Sequence, residues 1–217
     1  MKRLLCSFLL LIMVLSSSFA QVDFGCIFAL EENVADKSEI GSGITVKTDR
    51  WFMSAMFDSY HADYALRYQY PAGKTLMLQA DFYLDSALGL GVAPSIGQDI
   101  RLGGFYLGYR VGVQSTAVLF LDARAGMAVT PMLYFNIGWK VIENLSLELS
   151  AGTTSLQRPN LQMAPVLEAN AYLGFGSMAI EFSMMAGLSE FWWEELCVSF
   201  VRGSIGCSIS IEKDGDR

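Results

Sequence analysis

The strongest constraint on this chain is an alternation of apolar and polar residues that repeats from about residue 60 to the end. Ala62, Tyr64, Leu66, Tyr68 and Tyr70 interleave with Asp63, Ala65, Arg67 and Gln69. Leu76, Leu78, Ala80, Phe82 and Leu84 then interleave with Met77, Gln79, Asp81, Tyr83 and Asp85. A period of two sends successive side chains to opposite faces of a strand. Each segment therefore has one apolar and one polar face, and the chain as a whole reads as all-β.

Composition narrows the choice. The 217 residues are 53% hydrophobic and only 17% charged, where soluble domains carry about 25% charged residues. Past the N-terminus no apolar run is long and uncharged enough for a spanning helix, because Asp81, Arg110, Asp122, Glu168 and Glu181 interrupt the best candidates. A closed antiparallel barrel in a membrane accommodates both facts, with lipid on one face of every strand and a polar lumen on the other. The expectation is an up-and-down transmembrane β-barrel of about ten strands, with eight as the alternative, after a cleaved signal peptide.

That signal is Met1 to Ala20. Lys2 and Arg3 precede the apolar run Leu4–Leu15, and Ser18-Phe19-Ala20 supplies the small-residue cleavage site. Residues 21–217 are then one β-barrel domain. Removing Lys2 and Arg3 takes the formal charge from −7 to −9. So acidic a chain is a poor ligand for nucleic acid, which binds basic surfaces. Of the cysteines, Cys6 lies in the signal, and Cys26, Cys197 and Cys207 remain. Three thiols exclude a fully paired framework but allow one bond. No C-x-x-C or histidine cluster points to zinc, and no cofactor motif is present.

Strands are expected at 61–70, 75–85, 100–113, 118–129, 132–141, 145–152, 165–175, 178–187 and 196–211. A tenth, ascending strand comes from 22–30 or from part of 44–57. Segments 71–74, 114–117, 142–144 and 176–177 read as short turns, Thr130-Pro131 as another, and 86–99, 153–164 and 188–195 as longer external loops. Outer-membrane barrels have short periplasmic turns and long external loops.

On this reading the apolar set of 100–113 is Phe105, Leu107, Tyr109, Val111 and Val113, opposed by Gly104, Tyr106, Gly108, Arg110 and Gly112. Alternation alone does not say which face is inside, and a soluble lipocalin-like barrel would turn the apolar face inward. The Gly- and Ser-rich polar face and the aromatics near strand ends (Tyr68, Tyr70, Trp139, Phe175, Trp192, Trp193) favour lipid outside. The lumen would then hold Arg67, Asp81, Arg110, Asp122, Arg124, Lys140, Glu148, Glu168, Glu181 and Arg202. Mixed charges in a narrow space either pair as a plug or line a selective narrow pore.

The stretch Tyr134 to Gly152 (YFNIGWKVIENLSLELSAG) resembles the hairpins of small outer-membrane barrels of the OmpW, OmpX and OmpA-barrel kind. The resemblance implies the outer membrane of a diderm bacterium, insertion by the barrel-assembly machinery and contact with outer-membrane lipid. The residues themselves are read as a non-enzymatic barrel, a narrow pore for small solutes or a structural surface protein. The chain departs from such barrels at its end, where Ile205-x-Cys207-x-Ile209-x-Ile211 is followed by a charged tail instead of a terminal aromatic. Trp192 and Trp193 are the candidate loop contacts for a surface ligand. An enzyme acting on lipid or peptide is the alternative. Its only histidine, His61, stands two residues before Asp63 without a nucleophile motif.

Overall fold

A computed structural model describes residues 21–33, 38–57, 62–85, 89–119, 125–153, 165–192 and 195–212. These form twelve strands: β1 (Gln21–Asn33), β2 (Ser38–Lys47), β3 (Trp51–Phe57), β4 (Ala62–Pro71), β5 (Leu76–Asp85), β6 (Gly89–Leu102), β7 (Phe105–Leu119), β8 (Ala125–Ile142), β9 (Leu145–Gly152), β10 (Val166–Phe175), β11 (Met178–Trp192) and β12 (Glu195–Glu212). Each strand pairs antiparallel with its neighbours in sequence, and β1 pairs with β12, so the sheet closes into a barrel. Closure leaves no unpaired edge, which hydrocarbon would not tolerate. No helix among the described residues is long and apolar enough to cross a membrane.

The barrel has twelve strands, not ten or eight, and the difference lies in three places. First, both N-terminal candidates are strands, and β1, β2 and β3 occupy what was one expected strand. Second, residues 86–99 are not a loop, because β6 starts at Gly89. Its glycines and Pro94 look like turn residues in isolation. Pro94 has no N–H to give, and the β6–β7 ladder accordingly skips Ala93 and Pro94, resuming at Ser95↔Gly112. Third, neither 114–117 nor Thr130-Pro131 is a turn: the expected strand 118–129 is divided between the end of β7 and the start of β8, with 120–124 outside the described residues, and the expected strand 100–113 is divided by the Gly103-Gly104 turn between β6 and β7. Gln114 and Thr130 face each other across β7 and β8, and Pro131 faces Val113, all well inside the ladder. The even parity holds.

The described connections Thr48–Arg50, Ala72–Thr75, Gly103-Gly104, Glu143-Asn144 and Gly176-Ser177 lie at one end of the barrel, together with the start of β1 and the end of β12. Gly103 (φ 63°) and Gly176 (φ 62°) are the first residues of two-residue hairpin loops, a position that needs positive φ in the turn type matching strand twist. Segment 188–195 is also largely strand, with β11 running to Trp192 and β12 beginning at Glu195. Segment 154–164 and the segment 1–20 lie outside the described residues.

The apolar faces point outward. Leu107, Ile137 and Phe182 are 42%, 47% and 48% exposed, whereas Asp81, Gln114 and Tyr134 are almost fully buried. A soluble barrel has the reverse arrangement. Aromatic side chains gather beside the tight turns. Trp51 packs on Tyr68 with ring centroids 4.6 Å apart, and Phe105 stacks on Trp139 at 5.6 Å. Tyr70 and Phe175 stand exposed at the same end. Rings with an apolar body and a polar edge settle at the membrane interface, and such girdles flank the apolar band of spanning barrels.

Candidate functional site: the charged lumen

Because the side-chain period is two, inward residues line up from strand to strand as the register prescribes. One lateral line runs Asp23, Lys47, Phe52, Arg67, Asp81 and Ala93 across β1 to β6. A second runs Glu39, Glu31, Arg202, Met185, Glu168, Ser150, Asn136, Gly108 and Asp99, over nine strands. A third runs Arg101, Tyr106, Gly138, Glu148, Asn170 and Ser183. The lumen wall is thus built of charged and amide side chains at set heights.

The charges are held against this wall. Arg67 donates from Nε to Asp81 Oδ1 at 2.6 Å, and Gln79 donates to Asp81 Oδ2 at 2.6 Å. Gln69 in turn donates to Gln79 at 2.9 Å. Both carboxylate oxygens of Asp81 are therefore engaged, as a buried charge requires. The Arg67 guanidinium also lies 5.7 Å from the Phe52 ring centre, a cation–π distance. Arg110 reaches Asp99 at 3.4 Å, and Arg202 stands 3.6 Å from Glu31, its partner in register. Tyr106 donates to Glu148, and Ser150 donates to Glu168 at 3.3 Å.

The inward glycines make room for these arms. The Tyr106 ring lies over Gly138, its direct cross-strand partner, where any Cβ would collide with it. This lets the phenol cross β8 and meet Glu148 on β9. Arg110 lies in the same way over Gly97, and Asn136 over Gly108. Bulky polar side chains are kept flat along the wall instead of projecting across the lumen.

The result is a cavity of about 790 Å³. It runs from the tight-turn end, at Gly103 and Gly104, inward to Arg67, Arg110, Tyr134 and Asn136, with Lys47, Arg101, Lys140, Glu148 and Glu181 on its sides. Beyond it the inward side chains are packed. Asp81, Gln114 and Met132 are 1% exposed or less. Among the described residues no group of acidic, histidine or cysteine side chains could hold a metal.

Of the sequence candidates, Arg67, Arg110, Lys140, Glu148 and Glu181 line the cavity. Asp81, Glu168 and Arg202 belong to the buried inner wall. Asp122, Arg124, His61 and Trp193 lie outside the described residues, and Trp192 ends β11 opposite Glu195. Sequence reading missed Tyr106, Tyr134 and Asn136, although they stand on the polar face it identified, because only charged side chains were sought. It missed Lys47 and Asp99 because their segments had been read as ambiguous and as loop, and Arg101 because it was placed in one strand with Phe105 to Val113, on the other side of the Gly103-Gly104 turn.

No protein-family model matches the chain, and no curated protein matches it in sequence. Solved structures do match in fold. The NanC porin superposes with a TM-score of 0.57 at 8% identity, over 86% of this chain and 98% of its own. The KdgM porin in complex with disordered oligogalacturonate gives 0.54 at 10%, over 87% and 99%. An outer-membrane channel from Pseudomonas putida F1 gives 0.54 at 10%, over 89% and 96%. The chain has the fold of a small bacterial outer-membrane β-barrel. The apolar outer band and aromatic girdle suit that fold to a lipid bilayer.

Proposed function

We propose that the chain is a non-enzymatic outer-membrane channel for small polar solutes, narrow and lined by paired charges. The observation that carries this reading is the charged cavity entering the lumen from the tight-turn end, with its arginine and tyrosine arms laid back over glycines. A barrel used only as a rigid scaffold has no need of that space. The likeness to porins supports the reading at the level of fold. The buried belt at Asp81, Gln114 and Met132 favours a second reading, in which charge pairs close the lumen and the barrel is structural.

Planar-bilayer recording of the refolded protein separates the two. A channel gives discrete ion steps, and Arg110→Gln moves its selectivity toward cations by removing a fixed positive charge from the path. A folded barrel with no steps at any voltage supports the structural reading.

A further inference from the structure

The seam that closes the barrel joins the first strand to the last, and two of the three cysteines after residue 20 meet there. Cys26 on β1 is the direct register partner of Cys207 on β12. The flanking pairs are Phe24↔Ile209 and Phe28↔Ile205, four residues on the exposed outer face. Cys26 and Cys207 have the same parity as these residues, so both thiols stand on the outer side of the wall, side by side. Cys26 is exposed, Cys207 is partly buried, and both thiols are free in the structure. Directly opposed residues of an antiparallel pair have Cβ atoms about 4.5–5.5 Å apart, and a small shift brings them to the spacing of a disulfide, about 3.5–4.5 Å.

We infer that Cys26 and Cys207 form a disulfide that locks the β1–β12 seam. Nothing in the channel reading requires this bond. Cys26 and Cys207 also border the lumen cavity. The co-reactant is a disulfide of the oxidising compartment, either a protein dithiol in its oxidised form or oxidised glutathione. The thiolate of one cysteine attacks that disulfide and displaces one thiolate. The second cysteine's thiolate then attacks the mixed disulfide and displaces the other. Two protein thiols lose two electrons and two protons, and the co-reactant becomes two thiols.

The bond would matter at this seam more than at any other. Every other strand pair is joined to its partner by a connection of the chain, but β1 and β12 are held only by their ladder and side chains. A cross-link between strands so distant in sequence removes much of the freedom of the opened barrel.

The test uses the barrel refolded in detergent with oxidised glutathione and then alkylated in denaturant, without and with prior reduction. Expected are one labelled thiol, Cys197, before reduction, and all three after it. A peptide pair linking Cys26 to Cys207 should appear by mass spectrometry, and it should survive in Cys197→Ser. The reduced wild type should lose its compact unboiled gel band at a lower temperature than the oxidised one, whereas Cys26→Ser should show no such difference. Labelling of all three thiols without reductant would overturn the inference, and so would a link from Cys197 to either of the other two.

Discussion

Asp81 shows how this lumen treats a charge. It is 1% exposed and accepts from Arg67 and Gln79. Removing one partner of such a pair leaves the other buried without compensation, a loss of about 3–5 kcal/mol, whereas replacing both with apolar groups is often neutral. Arg67→Ala and Asp81→Ala should therefore each destabilise the barrel by about 3 kcal/mol, and Arg67→Met with Asp81→Leu should restore most of that. Urea unfolding in lipid vesicles, followed by tryptophan fluorescence, measures all three variants. A double variant as weak as the sum of the singles would contradict the pairing. Tyr106 makes a second case. Gly138→Val should lift its ring off the wall, break its bond to Glu148 and push it into the lumen. The expected readout is a fall in single-channel conductance in a barrel that still folds. Tyr106→Phe removes the bond but keeps the ring in place, so it should cost about 1.5–3 kcal/mol and leave conductance near the wild-type value.

At the scale of strands and turns, the alternation revealed the apolar and polar faces of β4, β5 and β7 to β12. It could not count the strands. A strand whose inward positions are glycine, as at Gly91 and Gly97 in β6, lacks the side chains that make a period of two visible. Gly97 has to be glycine because Arg110 lies over it from the next strand, a reason that exists only once the register is known. Pro94 and Pro131 misled in the same way, since proline reads as a break but sits here in strands whose ladders accommodate it. Of the two turns that depend on one positive-φ glycine, Gly176-Ser177 was legible and Gly103-Gly104 was not, because it fell inside the expected strand 100–113. Gly176→Val should place a β-branched residue at φ 62°, at a cost of about 1–3 kcal/mol. That loss should appear as a lower temperature for conversion of the unboiled gel band. The lumen charges were legible because they alternate with apolar residues. The arms formed by Tyr106 and Asn136 were not, because their part in the wall comes from cross-strand neighbours.

For the molecule as a whole, one claim supports all the rest: hydrocarbon wets the face carrying Leu133, Phe135, Ile137 and Trp139, while Tyr134, Asn136, Gly138 and Lys140 look inward. The most direct measurement places single spin labels at each position from 133 to 140 in a background with the native cysteines replaced, and reads collision with oxygen and with a water-soluble nickel chelate in lipid vesicles. Expected is a strict alternation, with odd positions open to oxygen and shielded from nickel and even positions showing neither the lipid depth profile nor its oxygen maximum. The opposite phase, or equal access to nickel at 135 and 137 in a protein that stays dispersed without detergent or lipid, would contradict the account.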